Sequence, residues 1–144
     1  MTKLIIYTDG GSRGNPGPAA TGVVIKDERG KNIKSYAETI GEATNNEAEY
    51  KAVILALKKI KALFGKEKIK NMNLQFKLDS ELVVKQLTGE YKTEEKSLHP
   101  LFMEIWNLKT GFGELNFENV PREKNKEADR LVNEALDKDQ SKLF

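Results

Sequence analysis

Four acidic residues have the types and spacing to do chemistry together. Asp9 follows the apolar run Leu4-Ile5-Ile6 and opens onto the glycine-rich stretch GGSRGNPGPAATG, residues 10–22. Asp79 ends the run NLQFKLD, residues 73–79. Glu49 lies in TNNEAEYKAVILALKKI, and helical phase separates it from its neighbour Glu47. Glu49 shares a face with Ala52, Val53, Ala56, Ile60 and Leu63, whereas Glu47 falls with Lys51, Lys58 and Lys61 and faces water. The same reading of KNKEADRLVNEAL places Asp129 with Val132 and Leu136, and Glu127 with Arg130 and Glu134.

Each acid has an ordinary explanation when taken alone. Asp before Gly makes turns, Asp-Ser caps helices, and Glu near a helix start serves the macrodipole. Taken together, four carboxylates at the ends of buried elements repel one another and cost several kcal/mol if left uncompensated. No lysine or arginine falls in phase beside them. Divalent cations resolve the conflict, and an oxygen-only donor set without Cys or a suitable His favours Mg²⁺, with Mn²⁺ as a substitute, over zinc. Two such ions about 4 Å apart clamp the attacking and leaving oxygens of a phosphodiester.

The elements needed to converge these acids can be read from the pattern. Residues 3–9, 19–26 and 32–40 read as three strands of an antiparallel meander, with Asp27-Glu28-Arg29-Gly30 as a turn. A long helix over Asn45–Phe64 is closed by Gly65. Strands follow at 73–79 and 115–120, and helices at 81–88, 99–109 and 123–136, with Pro100 suited to a first helical turn. The pattern predicts an α/β fold: a five-stranded mixed sheet, βββαβαβα, flanked by helices. If the first and fourth strands are parallel neighbours, Asp9 and Asp79 stand on one carboxyl-end edge.

Composition limits the alternatives. A chain of 144 residues buries about 70% of its unfolded surface, which suits one domain spanning 1–144. With 38% hydrophobic and 32% charged residues it has a globular composition. The absence of cysteine excludes disulfides, thiolate metal sites and cysteine nucleophiles, and fits a reducing, cytoplasmic setting. No apolar run approaches a membrane span, and no signal peptide is visible. A net charge of +2 leaves the partner open.

Four blocks in order, YTDGGSRGNPGPAATGVVI, TNNEAEYKAVILAL, LDSELVVKQL and VPREKNKEADRLVNEAL, resemble the ribonuclease H family, type 1. Any one block is a weak signal, whereas the ordered set covers nearly the whole chain. The resemblance implies a metal-dependent endoribonuclease that hydrolyses the RNA strand of RNA/DNA hybrids, with Asp9, Glu49, Asp79 and Asp129 as catalytic, metal-binding residues. It assigns Gly10, Gly11, Ser12 and Asn15 to the RNA strand, where glycines let backbone approach closely and 2′-hydroxyls mark RNA. It makes Asn45 and Asn46 a minor-groove pair and puts Thr44 in a phosphate pocket on the DNA strand, though Thr44-Asn45-Asn46 also reads as a helix cap. Asn125 matches a position supporting the last carboxylate.

The chain departs from the family twice. Many members carry a His in the loop before the last Asp, thought to help product release; here Arg122 and Glu123 stand there. Many bacterial members insert a basic helical protrusion after the short helix; residues 89–98 are too short for it and carry only Lys92 and Lys96, which points to the compact subset. His99 reads as an ordinary helix-start residue, and Trp106 as core. The lysines of KKIKALFGKEKIK lie about 24 Å of helix from Glu49 and suit a helix C-terminus better than a substrate surface. The expected partner is an RNA/DNA hybrid bound by a monomer. Cleavage of double-stranded RNA, or hybrid binding without catalysis, remain the alternatives.

Overall fold

A computed structural model describes residues 2–141. The strands are β1 (Thr2–Ser12), β2 (Gly17–Asp27), β3 (Asn32–Ala43), β4 (Met72–Leu78) and β5 (Glu114–Asn119). The α-helices are α1 (Asn45–Phe64), α2 (Lys66–Ile69), α3 (Glu81–Leu87), α4 (His99–Lys109) and α5 (Lys126–Ser141). Short 3-10 turns at Lys96–Leu98 and Arg122–Lys124 precede α4 and α5.

The strands form one sheet in the order β3-β2-β1-β4-β5. β2 is antiparallel to both β1 and β3. β4 is parallel to β1 and β5, so the two acid-bearing strands are neighbours, which meets the condition the sequence reading left open. Strict alternation in β4 buries Met72, Leu74, Phe76 and Leu78. The main core joins Ile6, Val23, Leu74 and Phe76 of the sheet to Tyr50, Val53, Leu57 and Ile60 of α1. A smaller cluster of Ala20, Val132 and Leu136 lies under α5.

Two glycines set how closely the helices approach. A Cβ on Gly10 would collide with the backbone of Ala48 and Glu49 in α1. A Cβ on Gly22 would collide with the Ala128 carbonyl of α5. The glycines therefore serve helix-on-strand packing, a role the expectation of close substrate approach did not include.

Other expectations are corrected. The stretch after Asp9 is not loop: β1 runs on through Gly10, Gly11 and Ser12, which pair with Thr21, Ala20 and Ala19. The expected pattern βββαβαβα compressed the connection from β4 to β5, which contains both α3 and α4, and omitted the one-turn α2. The last helix begins at Lys126, because Arg122–Lys124 form a separate 3-10 turn and Asn125, at φ −118° and ψ 25°, breaks from helical geometry; buried Asn125 donates Nδ2 to the Thr8 carbonyl at 2.9 Å. Trp106 is 55% exposed and lies under Lys109 Nζ at 5.2 Å; α4 turns Ile105, Leu101 and Phe102 to the core instead. Leu63 is exposed, and Phe64 packs on the core at the helix end. Among the described residues no helix is long and apolar enough to cross a membrane.

Candidate active site

The parallel register of β1 and β4 pairs Thr2 with Met72 and Tyr7 with Lys77. Continued by two residues, that offset brings Asp9 level with Asp79. Gly10 seats the first turn of α1 on the same edge, which delivers Glu49. Asp9, Glu49 and Asp79 each offer a carboxylate oxygen within 4.8 Å of the others. They line a cleft of about 470 Å³ together with Ser12, Asn45, Asn46, Arg122 and Asp129. Asp129 is exposed on the first turn of α5 and stands at the rim, outside the tight trio.

The electrostatics follow from this crowding. Burial, then the neighbouring Asp79 charge, raises the Asp9 pKa to about 7. Burial and the charge of Asp9 push Glu49 well above the ordinary range, and the Gly10 N–H opposes this in part. Burial raises Asp79 too, with the Arg122 guanidinium pulling the other way. Arg122 Nε lies 4.0 Å from Asp79 Oδ2, so a cation does stand beside the cluster, contrary to the reading from phase. It comes from a turn rather than a helix face, and helical periodicity gives no access to it. It is 89% exposed and compensates little. Among the described residues, Glu49 Oε2 is buried without a hydrogen-bond partner.

The asparagines near the cleft are interlocked. Asn15 Oδ1 accepts from the Asn45 N–H at 3.0 Å, and Asn45 Oδ1 accepts from the Ser12 N–H at 3.0 Å and the Ser12 hydroxyl at 3.2 Å. Backbone N–H groups only donate, so both amide orientations are determined, and each Nδ2 is left to donate elsewhere. Asn46 Nδ2 donates to Glu95 at 3.1 Å, a partner not anticipated. Thr44 closes a capping box: its side chain accepts from the Glu47 N–H, and Glu47 Oε1 accepts from the Thr44 N–H at 2.9 Å. Glu47 is therefore half-buried in the cap, not extended into water beside Lys51. Asn125 sits beneath the cleft between Thr8 and Asp79.

Arg13 also lines the cleft and was not singled out from sequence. It pairs with Asp137 at 2.7 Å and binds Gln140, tying the β1–β2 hairpin to α5. No local pattern signals a contact between residues so far apart.

A family model described as reverse transcriptase-like matches residues 7–135. "Ribonuclease HI" of Halobacterium salinarum is 46% identical over 94% of this chain and 65% of its own length. LC11-RNase H1, isolated from compost, superposes with a TM-score of 0.90 at 48% identity, covering 97% of this chain and 99% of that one. The chain belongs to the ribonuclease H family, type 1. A structure of LC11-RNase H1 in complex with RNA/DNA hybrid matches with a TM-score of 0.90 at 47% identity, over 95% of this chain and 99% of that one. The chain spans only 36% of the length of another relative, "Bifunctional protein Rv2228c" of Mycobacterium tuberculosis, at 40% identity. Within the ribonuclease H frame the short 89–98 connection, without an inserted basic helix, makes this a compact member.

Proposed function

We propose that residues 1–144 form a single catalytic domain that hydrolyses the RNA strand of RNA/DNA hybrids, dependent on Mg²⁺ with Mn²⁺ as a substitute. The observation that carries this reading is the Asp9-Glu49-Asp79 trio at the floor of an open cleft. The trio fits hard divalent cations: it is all oxygen, burial and the Asp79 charge raise the proton affinity of Asp9 and Glu49, and among the described residues buried Glu49 Oε2 has no hydrogen-bond partner. Asp9, Glu49 and Asp79 would hold the ions, with Asp129 joining from the rim. Bound there, divalent cations neutralise charge on a phosphodiester and lower the pKa of a water.

The chain's own groups bind and orient. The locked amides of Asn15 and Asn45 present Nδ2 donors, which suit the acceptors of a minor groove and a 2′-hydroxyl. Gly10, Gly11 and Ser12 continue that surface along β1, and Asn46 and capped Thr44 extend it at the start of α1. Asn125 holds the end of β1 by donating to the Thr8 carbonyl beside Asp9. Arg122 is exposed and weakly paired, so it is available to a phosphate beside Asp79. We read the enzyme as a monomer, in which one chain's own Asp9, Glu49 and Asp79 complete the acidic trio. We read it as cytoplasmic because a cysteine-free chain suits a reducing compartment.

The test is cleavage of labelled RNA/DNA hybrid, double-stranded RNA, single-stranded RNA and duplex DNA, each with Mg²⁺, Mn²⁺ or EDTA. The expected result is internal cutting of the hybrid's RNA strand with either cation and none in EDTA. Cutting of the hybrid in EDTA, or cutting of duplex DNA alone, would overturn the reading.

A further inference from the structure

The segment between α3 and α4 does more than shorten the chain, because it places a carboxylate on the surface proposed to receive nucleic acid. Glu95 Oε1 accepts from Asn46 Nδ2 at 3.1 Å, and Asn46 lines the cleft that holds the acidic trio. A carboxylate only accepts, so this bond uses the Asn46 donor end and leaves its Oδ1 outward.

The segment is held in place from below. Tyr50 gives its hydroxyl proton to Gln86 Oε1 at 2.7 Å, so at 3.4 Å the Thr93 hydroxyl is the donor to Tyr50. His99 Nε2 lies 2.7 Å from the Thr93 carbonyl and must carry the proton in that bond. Thr93 is thus fixed to both α1 and α4, and Glu95, two residues on, is delivered to the first turn of α1. The positive end of the helix dipole favours an anion there. Glu95 itself is exposed, so water competes for it and the contact opens readily.

We propose that Glu95 is a built-in competitor for the substrate: an internal anion that occupies the Asn46 donor and repels a phosphate backbone from the start of α1. This rests on the reading that the cleft binds RNA/DNA hybrid. A strand reaching α1 must first displace Glu95, so the residue weakens binding and speeds departure without touching the reacting atoms. Where other family members extend a basic protrusion from this connection, the present chain carries Glu90, Glu94 and Glu95 against Lys92 and Lys96.

The test compares Glu95→Gln, which keeps an acceptor but removes the charge, with Glu95→Ala, which removes both, and with Glu94→Gln, which makes the same charge change one residue away. Binding of fluorescent RNA/DNA hybrid is followed by anisotropy in EDTA, and KM and kcat are measured in Mg²⁺. Expected are Kd and KM lower by about threefold to tenfold for both Glu95 variants, with kcat moving less than twofold. The log–log salt slope should steepen by roughly one. Glu94→Gln should change Kd by less than twofold. Unchanged or weaker binding by the Glu95 variants, or an equal gain from Glu94→Gln, overturns the competitor. A wild-type chain that cuts hybrid while Glu95→Gln binds no tighter defeats the competitor alone. A wild-type chain that neither binds nor cuts hybrid defeats the proposed function and the competitor with it.

Discussion

At the scale of single residues, the decisive contrast is between two glutamates two positions apart. Two residues along a helix rotate by about 200°, so Glu49 reaches the cleft while Glu47 turns back into the capping box. Glu49→Gln should lower kcat by orders of magnitude in steady-state cleavage of labelled hybrid at saturating Mg²⁺. Glu47→Gln retains an acceptor for the Thr44 N–H and should leave kcat nearly intact, whereas Glu47→Ala should lose about 1 kcal/mol in chemical denaturation. If Glu47→Gln is the inactive variant, the phase assignment is wrong. Asp79→Asn should abolish cleavage yet leave the metal-free protein as stable as wild type or more so, because it removes charge from a crowded cluster. A clear fall in metal-free Tm would count against that. Asp9 provides the pH test. Its folded pKa of about 7 exceeds the ordinary 3.8, so the folded state binds the extra proton between those values. Its stabilising contribution is complete below about pH 4 and is lost as pH rises through 7. Denaturation of wild type against Asp9→Asn without metal should therefore show the variant's relative stability growing from pH 4 to pH 7. Excess Mg²⁺ at pH 8 should stabilise wild type and not the variant.

At the scale of elements, the cleft depends on how near α1 can come to β1. Gly10 is the contact point, and its hydrogen stands where any side chain would meet the α1 backbone. Gly10→Ala should destabilise by ~3 kcal/mol and displace Glu49, reducing activity as well as Tm. Gly11 is its control: a Cβ there would meet only Val132 Cγ1 at 3.6 Å, an ordinary contact. Gly11→Ala should fold with a Tm close to wild type. Equal losses from both substitutions would show that the strand, rather than the helix contact, is what glycine protects. Arg13 joins the hairpin to α5 through Asp137 and thereby braces the helix that carries Asp129.

At the scale of the whole molecule, charge is nearly balanced, and most of the lysine-rich stretch lies away from the cleft. Lys61, Lys66 and Lys70 line a separate hollow between the end of α1 and α4. With no basic protrusion beside the cleft, few counterions are released on binding. The log–log salt dependence of hybrid affinity should be shallower than for a family member that has the protrusion, in a side-by-side titration. An equal or steeper slope would show that the distant lysines take part.

Much of this molecule was legible in one dimension. Period-two and helical patterns identified all five strands and the long helix, and phase separated Glu49, which joins the acidic trio, from Glu47, which turns into the cap. These follow from local geometry, since a side chain's direction repeats every two residues in a strand and every 3.6 in a helix. What escaped the sequence reading depends on which surfaces meet. The need for glycine at residue 10 comes from α1 lying on β1, and the exposure of Trp106 from α4 turning another face inward. Arg122 beside Asp79, Arg13 against Asp137, and Glu95 on Asn46 join segments whose separation is closed only by the folded sheet. Sequence determined which carboxylates could converge, because their phase is carried by the chain itself. Tertiary structure decided how tightly: three meet within 4.8 Å and Asp129 waits at the rim, since that distance depends on how α5 docks rather than on where the residue falls along it.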